Sequence, residues 1–135
     1  MPLFLWEEKY TVNVVELDEQ HKKLISLINR LFDSMKEGHG KDVLSSIVSD
    51  LFEYTIYHFD TEENYFHQYK YVNTDAHIKE HTELRAKVVD IKNKLDTGKM
   101  ILSSEIMTFL KQWLINHIMT SDKEYSTFFN HKGLY

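Results

Sequence analysis

An all-α fold, an antiparallel up-down-up-down four-helix bundle with an extended N-terminal arm, is what this 135-residue sequence predicts. Three observations point there. Glycine (4) and proline (1) are too scarce for the turns of a β-rich chain of this size. Apolar residues recur at three- and four-residue steps in four separate segments. The breaks between those segments are short, so the chain reverses at each one. A hydrophobic content of 42% and an aromatic content of 13% fit a packed chain, and the length suits one domain spanning residues 1–135.

Residues 1–17 read as the arm. Tyr10, Val12 and Val14 alternate with Thr11 and Asn13, the period of an extended segment, and Phe4 and Trp6 are its expected anchors. Asp18 is the expected N-cap of a first helix over about 18–37, with Leu17, His21, Leu24, Ile28 and Leu31 on one stripe. That helix stops at Gly38-His39-Gly40. A second helix, about 41–69, places Ile47, Leu51, Tyr54, His58, Glu62 and Tyr65 on one face. In the third, about 74–96, His77, His81, Leu84, Val88, Ile91 and Leu95 are in register and Gly98 closes the helix. The fourth, about 103–121, is expected to be capped at Ser103 and aligns Ile106, Leu110, Trp113 and His117 before a short tail.

Composition excludes several functions. A formal charge of −5 with no block of Lys and Arg argues against a nucleic-acid partner, whose phosphates need a basic surface. With no cysteine, disulfides, thiolate zinc sites and iron–sulfur clusters are ruled out. No stretch approaches the roughly 20 apolar residues of a membrane span, and the apolar run in MPLFLWEEKY is too short for a signal peptide. A cytoplasmic protein with no membrane partner is the expectation.

The helical stripes carry an anomaly. His21, His58, Glu62, His77, His81 and His117 fall where the 3.6-residue period puts the interior. One buried histidine is ordinary. Five histidines and a glutamate from all four helices need something to offset their desolvation, and a metal does so. His58 with Glu62, and His77 with His81, are i, i+4 pairs that project side by side. Asp122 follows His117 at i+5, about 140° off an ideal helical stripe. An irregular turn between the two is therefore expected if Asp122 is to face the interior. His39, His67 and His131 read as surface residues.

These positions resemble the hemerythrin family almost end to end. WEEKYTVNVVELDEQH (6–21) is similar to the family's N-terminal signature ending in D-x-Q-H. HFDTEE (58–63), HIKEH (77–81) and WLINHIMTSD (113–122) are similar to its three further blocks. Three positions depart from the pattern: Asn13 where glycine is usual, Val15 where proline is common, and Val72 where proline often follows Tyr71. None is a ligand position, so the departures bear on arm and loop geometry.

The resemblance implies reversible O2 binding at a non-haem di-iron centre, for carriage, storage or delivery, and not an enzyme. Five imidazoles and two carboxylates exceed one first-row metal and suit iron or manganese. With Glu62 and Asp122 bridging two iron ions beside an oxo or hydroxo group, His77, His81 and His117 would saturate one ion. His21 and His58 would hold the other, leaving it the open position for O2. In the family the two ferrous ions each give one electron to O2 and the bridging hydroxide gives its proton, reversibly. Leu24, Phe59, Trp113, Leu114 and Ile118 match pocket-lining positions, and Tyr125, three residues beyond Asp122, is a candidate to hydrogen-bond a ligand. O2 is the implied partner, with an O2-consuming enzyme as a fitting recipient.

Two other readings compete. Sensing of O2 or redox state through a separate partner protein keeps the site and changes its role. His77-Ile78-Lys79-Glu80-His81 also fits H-x-x-E-H, a zinc-hydrolase pattern in which Glu80 would be the general base. That motif leaves His21, His58, Glu62 and His117 without a reason to face the core; a solvated Glu80, one step off the ligand face, is the expected alternative.

Overall fold

The computed structural model describes residues 4–98 and 104–135, and among these it contains helices and no strand. The helices are α1 (Val15–Lys36), α2 (Lys41–Tyr69), α3 (Thr74–Asp96), α4 (Ser104–His117) and α5 (Lys123–His131). A 3-10 turn covers Glu8–Tyr10, and a π-helical turn, Ile118–Asp122, joins α4 to α5 without a break. The first four helices supply the walls of the bundle, with α2 packed against both α1 and α3, and α1 against α4. The expected cap at Ser103 lies outside the described residues.

The loops at 37–40 and 70–73 are too short for anything but reversal. Lys70 makes the second reversal in the left-handed conformation, φ 58°, which is costly for a side chain with a Cβ. Two contacts offset that cost. The Tyr71 amide bonds back to the Phe66 carbonyl at 2.9 Å, and the two rings pack 5.1 Å apart, closing α2 in a Schellman arrangement.

The arm and the first cap differ from expectation. Helix α1 begins at Val15, and its N-cap, Val14, offers no side-chain bond. Asp18 lies one turn inside the helix instead, where its carboxylate accepts from the Thr11 hydroxyl and from the Val12 amide at 2.8 Å. It therefore ties the arm to α1 while placing negative charge in the positive first turn. The departures from the family pattern fit this geometry. Asn13 has φ 58°, a conformation glycine adopts freely and asparagine tolerates, and Val15 occupies the first helical position, where proline is well accommodated. Tyr10, Val12 and Val14 point inward and Asn13 outward, as the alternation requires. Phe4 is anchored by a pair of bonds, its amide to Asn29 Oδ1 and the Asn29 amide to its carbonyl.

The chain end also differs. The residues expected to form a tail beyond 121 are helical to His131, because Tyr125 and Phe129 form a buried stripe that α5 must present inward. Two apolar clusters result. One is largely aliphatic, running through Leu24, Ile28, Leu51, Leu84, Val88, Leu110 and Leu114. The other is largely aromatic, built on Phe66, Tyr71, Tyr125 and Phe129 with Val12, Val14 and Leu17. Among the described residues no helix is long and apolar enough to cross a membrane.

Candidate metal centre

Between the two clusters lies a polar layer. His21 comes from α1, His58 and Glu62 from α2, His77 and His81 from α3, His117 from the end of α4, and Asp122 from the π-turn. All seven are at most 3% exposed. The irregularity expected after His117 is the π-turn itself: its wider winding brings the fifth residue back over the first, so Asp122 Oδ1 lies 3.0 Å from His117 Nε2.

The donor atoms fall into two groups, each with all atoms within 4.8 Å of one another. Glu62, His77, His81, His117 and Asp122 form one; His21, His58, Glu62 and Asp122 form the other. The two carboxylates belong to both. Nitrogen-to-oxygen distances are short, 2.9 Å from His77 to Asp122, 3.0 Å from His21 to Asp122 and 3.1 Å from His81 to Glu62. Yet His21 Nε2, His77 Nε2, Glu62 Oε1 and both Asp122 oxygens have no aligned hydrogen bond. Close approach without alignment is what lone pairs aimed at a shared third point produce, and buried atoms left in that state are rare. The donor set therefore fits a metal centre in which two carboxylates are shared, and imidazole with carboxylate suits a first-row metal such as iron or manganese.

The far edges of three histidines are held. His58 Nδ1 donates to Gln20 Oε1 at 2.7 Å, and the Gln20 amide is oriented by its bond to Thr61. His81 Nδ1 donates to Glu63 at 2.8 Å, and Arg85 reaches the same carboxylate oxygen at 3.4 Å. His117 Nδ1 donates to Glu80 at 3.1 Å, while the Ser121 hydroxyl donates to the other Glu80 oxygen at 2.6 Å. Each bond fixes the tautomer that leaves Nε2 free to ligate. Sequence reasoning missed Gln20 and Glu63 in this role and assigned Glu80 to solvent. Glu80 is instead half-buried and bonded to the back of His117, which also removes it as the general base of a zinc site. The signal was present, since all three stand inside the D-x-Q-H, HFDTEE and HIKEH blocks. Tyr125 does bond a carboxylate, donating to Glu62 Oε2.

Charge follows from this packing. Burial alone would lower the pKa values of His21, His77 and His117, but Asp122 and Glu62 or Glu80 outweigh it and raise them to about 9, about 10 and about 9. Burial prevails at His58, which is lowered. Burial would raise Glu62 and Asp122, but the facing histidines hold both well below the carboxylate range. Glu80 is drawn down to about 2 by its bond to His117. Burial, then the Asp122 and Glu62 charges, push the Tyr125 phenol well above its usual value, so it donates rather than ionises.

On the aliphatic side a small cavity of about 20 Å³ adjoins the polar layer. Leu24, Phe59, Trp113 and Leu114 line it, together with Leu51, Thr55 and Val88. The fifth expected lining residue, Ile118, is fully buried in the surrounding cluster rather than on the cavity wall. Phe59 stacks on His81 at 3.7 Å and Trp113 on His117 at 4.6 Å, so aromatic faces shield two of the imidazoles.

A helical bundle whose core carries five histidines around two shared carboxylates defines a metal-binding four-helix protein with room for two ions. Comparisons with known proteins agree. Residues 12–129 match the model of the hemerythrin HHE cation binding domain. Bacteriohemerythrin of Methylococcus capsulatus is 29% identical over 126 residues, 93% of this chain and 95% of that protein. A hemerythrin-like protein of Naegleria gruberi is 33% identical over 122 residues, 90% of each chain. A crystal structure of wild-type hemerythrin superposes with a TM-score of 0.88 at 28% identity, covering 93% of this chain and 96% of that one. The chain belongs to the hemerythrin family.

Proposed function

We propose that the chain is a reversible O2 binder for oxygen carriage, storage or delivery in the cytoplasm, acting at two iron ions held in the polar layer. His77, His81 and His117 would hold one ion and His21 and His58 the other, with Glu62 and Asp122 available to both. The observation that carries the reading is the sharing of two carboxylates between two unequal histidine groups, three against two. With three histidines available to one ion and two to the other, the two-histidine ion would be the one with a position left for O2. Bound iron supplies the electrons and the open coordination position that O2 needs.

The chain's own residues do the rest. Five neutral nitrogens against two carboxylates give a less anionic set than the four glutamates and two histidines of ferritin-like oxidative sites, which favours reversal over oxidation. The apolar cavity lacks the two to four polar partners a trapped water needs, whereas O2 needs none. Tyr125 orients Glu62 and neutralises part of its charge with a hydrogen bond. An O2-consuming enzyme is a fitting recipient.

Anaerobic reconstitution with Fe(II), exposure to air and purging test the proposal. A charge-transfer band that appears with O2 and disappears on purging is expected, with two irons per chain. Irreversible bleaching, or no band, overturns it.

A further inference from the structure

The seven donors are sealed so tightly that metal delivery becomes a problem of its own. Five of them are 0–1% exposed; His77 at 2% and His117 at 3% keep the most surface. His77 adjoins an opening on the surface. A depression of about 220 Å³ opens to solvent between the start of α3 and the π-turn, lined by Asn73, Ala76, His77, Glu80, Ser121 and Glu124. Glu80, on its wall, holds the back of His117, and His77 closes its inner end. His77 Nε2 faces the centre 2.9 Å from Asp122 without an aligned hydrogen bond, while the residue itself lines the depression. One imidazole thus separates solvent from the donor layer.

The lining chemistry suits a hydrated divalent cation. Two acidic residues, Glu80 and Glu124, line the opening with Ser121 and Asn73, and among the described residues no lysine or arginine lines it. Oxygen ligands of this kind hold a hard ion loosely, while the buried histidines beyond bind it tightly. The loose site then feeds the tight one.

We propose that this depression is the port through which divalent metal ions enter the folded apoprotein, with Glu124 and Glu80 drawing the ion in and His77 passing it to the centre. The proposal rests on the metal-centre reading above. Glu124 is exposed and outside both donor groups, so its charge can be removed without touching the ligands.

The test is the stopped-flow rate of Co2+ uptake by the metal-free protein, followed by visible absorbance. Helicity is checked by circular dichroism before and after mixing. At low ionic strength Glu124→Gln is expected to slow uptake roughly three- to fivefold, the difference fading above about 0.5 M salt, while the endpoint spectrum and stoichiometry match wild type. Glu53→Gln, the same charge change on the α1–α2 face, is expected to take up the ion at the wild-type rate. Equal rates for Glu124→Gln and wild type, or equal slowing by Glu53→Gln, overturn the port. So does an apoprotein that is unfolded until metal is added, because the ion would then enter during folding. If no variant, wild type included, binds Co2+ or Fe2+ at all, the metal-centre reading fails instead.

Discussion

On one side of the polar layer the core is aliphatic and leaves a cavity of about 20 Å³; on the other it is aromatic and closed. The aromatic side is a web of rings. Phe66 lies 5.7 Å from Tyr125 and 5.8 Å from Phe129, Tyr125 lies 4.9 Å from Phe129, and Phe66 packs 4.7 Å from His77. Flat rings with few rotamers make a stiff wall, and one of them, Tyr125, reaches Glu62 with its hydroxyl. Leucine and valine cannot tile their side as completely, and the remaining void is large enough for one small molecule but too apolar for water. Stiffness on one side and space on the other divide the core: one half positions the carboxylates, and the other leaves the room that the proposed O2 binding would use.

The two halves meet at Glu62, so the largest effect is expected there. Glu62→Ala removes a donor from both groups and strips Tyr125 of its acceptor; iron content should fall from two per chain to below one, measured by metal analysis after reconstitution. Retention of both ions would mean that the carboxylate does not join the halves.

Protons give the next contrast. In the metal-free protein His21, His77 and His117 have pKa values raised from 6.5 to about 9, about 10 and about 9. Groups with raised folded-state values add stability that is complete below the unfolded pKa and is lost as pH rises through the folded one. Thermal midpoints of the apoprotein should therefore fall between pH 6.5 and pH 10, whereas the iron-loaded protein, whose imidazoles are already deprotonated, should show no such loss there. Parallel profiles would show that the histidines do not carry the buried charge.

Truncation separates the halves directly. Phe129→Ala, at a fully buried ring, is expected to cost about 3–5 kcal/mol by denaturant titration and to leave O2 release from the surviving folded protein unchanged. Val88→Phe, on the cavity wall, should cost about 1–3 kcal/mol by overpacking and slow O2 exchange severalfold in flash photolysis or stopped flow. The opposite pattern would reverse the assignment of stiffness and space.

The smallest effect is expected at Thr55, which lines the cavity and whose hydroxyl donates to the Leu51 carbonyl at 2.7 Å. Thr55→Val should change stability by about 1 kcal/mol or less. It should slow autoxidation, read as the rate of colour loss in air, by making the cavity less hospitable to water and anions. Faster autoxidation would mean the hydroxyl protects the site.

The sequence by itself determined the four bundle helices, the stripe each one buries and the polar residues on those stripes, but not the helix Lys123–His131. Periodicity is a local property, and a histidine at an interior position cannot leave it without moving its whole helix. Asp122 is the intermediate case: its spacing from His117 demanded an irregular turn, and only the fold supplied the π-turn that satisfies the demand. Tertiary structure alone decided the partners. Gln20 and His58 are 38 residues apart, Glu80 and His117 are 37, and Tyr125 and Glu62 are 63. Such pairs depend on how far each helix is rotated and shifted against its neighbour, which no local pattern encodes. The same holds for Asp18, a cap by its neighbours and a clasp for the arm by its three-dimensional position, and for the cavity, which lies among side chains from all four bundle helices.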